Sequence, residues 1–262
     1  MKTARFSLLV MLVLSGFAQG LMAEEWGDVQ GRFIVQGKPV PAPGLAIPAA
    51  LAGFCGGAAI ANPALRIGNK GELQDVALWL YVGRNEEAPK PHPMYEKLRA
   101  NKVVIRNAGC LYDPIMSLVR PGQKIEFVNA DPIPHNFKVE GFQNAGINFL
   151  LAAGKSQVET FADEERYPMS AGCNIHPWMD AFIVIRESPY MAVSGEDGKF
   201  KIEKLPVGKH TFQVWHGNPG SLKQMKIGGE VVKDKKGLIE IDVKPGLNDL
   251  GDIEVDFALL QK

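Results

Sequence analysis

Short runs of alternating or clustered apolar residues, cut by turn chemistry, recur along most of this chain. They predict strands at 31–35, 76–82, 102–106, 124–129, 181–186, 200–202, 210–215 and 238–243. Pro121-Gly122, Glu196-Asp197-Gly198 and Pro206-Val207-Gly208 supply the turns between runs. Glu196-Asp197-Gly198, flanked by two such runs, reads as a hairpin turn. Helical periodicity is scarce: it predicts a short helix over 94–101 and a weaker one over 218–227. Many short strands without helices between them predict an all-β fold of sandwich or barrel type.

The first residues break this pattern. Lys2 and Arg5 precede an apolar run from Phe6 to Phe17, and small residues follow, with cuts expected after Gly20 or Ala23. The run falls short of the ~20 apolar residues that span a bilayer, so 1–23 reads as a cleaved signal peptide rather than an anchor. No cysteine follows either cut, which argues against a lipoprotein, and no later segment reads as a membrane span. The expected location is the periplasm or the exterior.

A hydrophobic content of 46% supports a buried core, and 18 prolines and 28 glycines scattered along the chain suit a turn-rich β protein. Lys+Arg and Asp+Glu both number 29; removing Lys2 and Arg5 with the signal leaves 27 against 29, a charge of −2. A nucleic-acid partner would want a basic face, and none is visible.

The mature chain divides into 24–74, rich in proline and alanine; 75–187, which holds all the metal-like chemistry; and 188–262, a second β segment. Three cysteines in an exported chain leave one over. Cys55 and Cys110 lack any ligand motif, so the pairing expected is Cys55–Cys110, two buried free thiols being the alternative. Cys173 is left free.

Cys173, His176 and Met179 put a thiolate, an imidazole and a thioether within seven residues. Soft sulfur with imidazole suits copper that changes oxidation state, whereas structural zinc prefers more thiolates. His135, in Asp131-Pro132-Ile133-Pro134-His135-Asn136, offers a second imidazole on an approach stiffened by two prolines. A cysteine–histidine hydrolase would want its cysteine at a helix start. Cys173 is instead followed by a proline-containing loop and a predicted strand.

These segments resemble the plastocyanin-like cupredoxins. Arg120 to Asn129 is similar to their strand-turn-strand, Asn129 to Asn136 to their first-histidine loop, and Cys173-Asn174-Ile175-His176-Pro177-Trp178-Met179 to their Cys-His-Met loop. The resemblance covers about 110 residues, 75–187. It implies a Greek-key sandwich holding one copper ion, with His135, Cys173 and His176 as equatorial ligands and Met179 as a weak axial one. It also implies that Asn136 bonds across to the cysteine loop. The His176–Met179 spacing is shorter than in most single-copper members, which leaves Met169 or an open position as alternatives for the axis. It matches a binuclear copper loop, but that site needs a second cysteine that this loop lacks.

Tyr190 to Trp215 resembles the carboxypeptidase regulatory-like, transthyretin-like β-sandwich, and Val29 to Val40 resembles that fold's first strand and turn. One arrangement this allows is a sandwich split in sequence around the copper segment. The expectation is therefore an exported blue (type 1) copper protein, not an enzyme, that carries single electrons for a partner such as a cytochrome c or a dehydrogenase. Pro177 and Trp178 would form the docking patch beside a surface-facing His176. The other readings are a copper carrier without redox traffic and a metal-free structural β protein. His216, at a strand end, is expected to be solvated, an approach to a ligand or partner surface being the alternative; His92, in an exposed proline loop, is expected to be uninvolved and His210, at a strand start, solvated.

Overall fold

A computed structural model describes residues 25–40 and 44–261; the expected signal segment 1–23 lies outside the described residues. The protein is all-β, with two short helices and one 3₁₀ turn among the described residues. Among the described residues, two sandwiches hold every strand except the short pair Leu45–Ala46 and Ala59–Ile60.

The first sandwich takes strands from both ends of the chain. One sheet runs Lys199–Pro206, Trp26–Gln36, Gly246–Asp256, Gln224–Ile227, Glu230–Lys233. Trp26–Gln36 lies parallel to Gly246–Asp256, so an early and a late strand run side by side within this sheet. The facing sheet runs Met191–Val193, Ala77–Leu80, Gly208–His216, Gly220–Ser221, with Leu238–Val243 also paired to Gly208–His216. Val29, Phe33, Leu78, Phe212, Val214 and Ile253 fill the space between.

The second sandwich is inserted between those halves. Its sheets run Ser156–Thr160, Lys124–Asn129, Val103–Ala108, Leu111–Asp113, and Ile147–Leu151, His135–Glu140, Met169–Gly172, Asp180–Ile185, Met116–Val119. Ile105, Ile125, Phe127, Phe137, Val139 and Ile183 form its core. The sandwiches meet back to back. Alternation along Ala77–Leu80 sends Leu78 and Leu80 into the first core and Ala77 and Trp79 to the junction, where they pack with Met116, Val184 and Trp215. Within the 75–187 segment, that strand therefore pairs outward, with Gly208–His216.

The strands expected at 124–129 and 238–243 form over those residues, and the 94–101 helix spans Met94–Arg99. Two expectations change. The helix over 218–227 is instead Gly220–Ser221 and Gln224–Ile227, the latter in a hairpin with Glu230–Lys233. Its turn is Gly228-Gly229 at φ +57° and +88°, the left-handed pair that a tight two-residue hairpin requires. The Glu196-Asp197-Gly198 turn does form, with the Gly198 N–H bonded to the Gly195 carbonyl at 2.9 Å. Its flanking strands then part, Met191–Val193 joining Ala77–Leu80 and Lys199–Pro206 joining Trp26–Gln36. A Cβ on Gly198 would collide with the Phe33 carbonyl oxygen, so the close approach of the first strand needs glycine there.

Glu165, buried before Met169–Gly172, ties down the 142–144 loop. Its carboxylate accepts the N–H groups of Phe142, Gln143 and Asn144 at 2.9–3.0 Å. Burial pushes this carboxyl up, but those donors outweigh it and hold it below the ordinary range. A depressed folded pKa contributes stability that is present above the unfolded value of 4.5 and is lost as pH falls through the folded one. Glu165→Gln is expected to lower stability at neutral pH by about 2 kcal/mol. It should also flatten the stability profile below the ordinary carboxylate range, as read by urea unfolding across pH.

Candidate metal centre

Three strands converge on one end of the second sandwich. Lys124–Asn129 leads into the 130–134 loop, His135 opens His135–Glu140, and Met169–Gly172 delivers Cys173. His135 is thus the first residue of a strand rather than a loop residue. Asn129, fully buried, sets the loop between. Its amide donates to the carbonyls of Ile133 (2.8 Å) and Leu151 (3.0 Å), and its side-chain oxygen accepts the Asp131 N–H (3.0 Å). Such a side-chain-built turn fixes where the imidazole of His135 points.

The 173–179 loop closes on itself: the Cys173 N–H donates to the Met179 carbonyl at 3.3 Å and the Met179 N–H to the His176 carbonyl at 2.9 Å. Cys173, His176 and Met179 are all buried. One donor atom each from His135, Cys173 and His176 lies within 4.8 Å of the others. His135 Nδ1 stands 2.9 Å from His176 Nδ1, which stands 3.7 Å from Cys173 Sγ. A first-row metal, with bonds of roughly 2.0–2.3 Å to imidazole and thiolate, fits among donors so spaced.

Met179, itself buried, follows this set on the same loop. Met169 stands four residues before Cys173 on its strand, ~13 Å away at ~3.3 Å per residue. Its methyl lies beside Gly141 instead, so Met169 cannot share the site.

The supporting groups were only partly visible in sequence. Asn136 reaches the cysteine loop, its side-chain oxygen accepting the Asn174 N–H at 2.5 Å while its amide donates to Asn148 at 2.7 Å. Asp131 was missed as a participant. His135 Nε2 donates to its carboxylate at 2.8 Å, which leaves Nδ1 as the lone-pair nitrogen facing the site. The N–H groups of Gly109 (2.6 Å) and Cys110 (2.9 Å) also donate to Asp131. The available signal was a carboxylate four residues before the histidine across a Pro-Ile-Pro bend. Tyr112 and Trp178 brace the same end: Tyr112 Oη donates to the Asn136 carbonyl (2.8 Å) and Trp178 Nε1 to the Cys110 carbonyl (3.1 Å). Cys110, Asp131 and His135 also cluster, but the Cys110 sulfur is spent in a disulfide.

Burial lowers the pKa of His135, with Asp131 partly offsetting it, and burial followed by the neighbouring His135 lowers that of His176. Both rings are therefore neutral at pH 7 and keep a lone pair for a ligand role.

The docking patch takes a different form from that expected. His176 is 1% exposed, and Trp178 turns inward to Cys110, its ring centroid 5.2 Å from that of His176. Ile175 and Pro177 face outward instead. His216 is also a correction, being buried rather than solvated. Its strand end is covered by Gly220–Ser221, and its Nδ1 accepts the Asn218 N–H at 3.1 Å. His92 Nδ1 accepts the Met94 N–H at the start of the helix, and His210 Nε2 bonds the Pro206 carbonyl.

Cys55 and Cys110 form a disulfide with Cα atoms 5.0 Å apart, so the lead-in segment is tied to the candidate-site end of the inserted sandwich. Cys173 is the free cysteine. Among the described residues no helix is long and apolar enough to cross a membrane.

No protein-family profile and no curated protein matches the chain. Solved structures similar to part of it include a copper-containing nitrite reductase from Thermus scotoductus at 23% identity and TM-score 0.30, covering 41% of this chain. The chain spans 25% of that reductase's length. A purple cupredoxin from Nitrosopumilus maritimus shares 20% identity at TM-score 0.28, over 32% of this chain and 99% of its own. A copper(I) structure of an amicyanin variant shares 18% identity at TM-score 0.30, over 32% and 82%. The all-β, double-sandwich assignment rests on the chain's own sheets and cores.

Proposed function

We propose that the inserted sandwich binds one copper ion through His135, Cys173 and His176, with Met179 as a weak axial ligand, and passes single electrons between redox proteins. The observation that carries this reading is the buried convergence of two imidazole nitrogens and one thiol sulfur within 4.8 Å. A single thiolate with imidazoles and a nearby thioether is a copper donor set rather than a zinc one.

Copper alternating between +1 and +2 supplies the one-electron capacity. The chain's residues supply rigidity. Asp131 orients the His135 ring and sets its tautomer, and Asn136 clamps the cysteine loop. Burial excludes water, so little has to reorganise when the charge changes. The outward Ile175 and Pro177 offer an apolar contact for a redox partner of the cytochrome c or dehydrogenase kind. The split outer sandwich, like the regulatory-like modules it resembles, serves as scaffold or docking body. The disulfide favours an oxidising compartment, in keeping with export to the periplasm or beyond.

Copper titration against a competing chelator tests the reading. Binding of one equivalent is expected, and Asp131→Ala should weaken it about 10- to 100-fold, measured below the temperature at which the variant unfolds. Full affinity in the Asp131→Ala protein would remove the orienting role, and no stoichiometric binding by the parent protein would remove the function.

A further inference from the structure

We propose that the cleft where the two sandwiches meet, on the side lined by Arg84, Arg166, Arg186, Lys235 and Lys236, binds a small multivalent oxyanion of the carboxylate or phosphate type. The cleft measures about 610 Å³, within the ~300–1,000 Å³ range of small-molecule sites.

Its electrostatics are one-sided. Arg84 follows the outer-sandwich strand Ala77–Leu80, and Lys235 and Lys236 precede Leu238–Val243 of the same body. Arg166 and Arg186 come from the inserted sandwich. The acid that lines the cleft is Glu164, and Arg186 Nε already holds it at 2.8 Å. Arg84, Arg166, Lys235 and Lys236 have no carboxylate within ion-pair distance among the described residues. Aromatic rings place two of these cations without neutralising them: Arg166 lies 5.4 Å from the Tyr167 ring centre and Lys236 5.4 Å from that of Tyr81. Lys236 Nζ also meets Tyr81 Oη at 3.3 Å.

Four unneutralised cations converge in a chain whose Lys+Arg and Asp+Glu both number 29, so overall basicity does not account for them. Their mutual repulsion is relieved by an anion between them. Guanidinium forks match the paired oxygens of carboxylate and phosphate, and several cations supplied by both sandwiches favour a ligand with more than one anionic group. The concave shape favours a small molecule over an extended polyanion. The proposal stands independently of the metal centre.

Calorimetric titration of the full chain at low salt, with citrate in one arm and pyrophosphate in the other, tests it and separates carboxylate from phosphate recognition. One saturable site is expected for at least one of them, with acetate about tenfold weaker or more. The double variant Arg166→Gln/Lys236→Gln should weaken that binding about tenfold or more. Lys97→Gln/Lys155→Gln, which removes the same charge elsewhere, should leave it unchanged. All four side chains belong to exposed residues, and far-UV circular dichroism checks that each variant folds. Equal losses in the two double variants would reduce the effect to general charge screening and overturn the proposal. So would the absence of saturable binding, or binding confined to a poly-glutamate peptide.

Discussion

Copper loading of the parent protein is expected to produce an intense visible absorption, and replacing Cys173 by serine is expected to abolish it. That band requires a thiolate sulfur bonded to copper(II), because a filled sulfur orbital lies close enough in energy to donate charge to the metal with visible light. A hydroxyl oxygen holds its electrons too tightly. The geometry makes the result all-or-none: Cys55 and Cys110 are bonded to each other, so no second thiol is available. His135 and His176 remain in Cys173→Ser, so some copper should still bind, but with one donor fewer and no soft anionic one. Affinity for copper(I), the softer state, should fall further than for copper(II). Met179→Leu is the informative partner variant, since losing a weak axial ligand would change the position and intensity of the band without removing it. Absorption and electron paramagnetic resonance spectra of the three loaded proteins decide the point. A band that survives in Cys173→Ser would remove the thiolate from the centre.

Removing the disulfide with Cys55→Ala/Cys110→Ala is expected to cost about 4 kcal/mol, because a cross-link across 55 residues restricts the unfolded chain. Urea unfolding of the metal-free protein measures this directly. A second consequence follows from where Cys110 sits. Gly109 and Cys110 turn the chain between Val103–Ala108 and Leu111–Asp113 with φ of +61° and +57°. A left-handed conformation at a non-glycine residue costs about 1–2 kcal/mol and needs outside support. Here the support is the disulfide together with Asp131, which accepts both turn N–H groups and also the proton of His135 Nε2. The covalent link therefore stiffens a chain of contacts that ends on a ligand candidate. Copper affinity of the folded double variant should fall several-fold, in the same direction as for Asp131→Ala and by less. A loss of stability with unchanged affinity would show that Asp131 holds His135 without help from the disulfide.

The strand content was legible because alternation and turn residues are local signals. Lys124–Asn129 and Leu238–Val243 alternate cleanly and lie on half-buried sheets, so their limits could be read from side chains alone. Gln224–Ile227 misled because its short apolar-polar run fits either period; the left-handed Gly228-Gly229 pair and the partner strand Glu230–Lys233 settled it. The turn at Gly198 was equally legible, but which sheets its two flanks join was not. That depends on Trp26–Gln36, about 170 residues earlier, passing close enough to take up one of them.

The site divides along the same line. Cys173, His176 and Met179 lie within seven residues, and their chemistry is written in donor type and spacing, as is the candidacy of His135 on its proline-stiffened loop. Sequence alone also marked out the odd cysteine, the all-β class and the outer flanks that resemble one divided module. Only the tertiary structure decided that His135 and His176 face each other 2.9 Å apart, that Asp131 holds the far side of the His135 ring, and that His176 is shut away from solvent. It alone brought Arg84 and Lys236 to the same cleft as Arg166. The reason is physical: identity and short spacing are properties of the covalent chain, whereas burial, facing and convergence depend on strands far apart in sequence packing against one another.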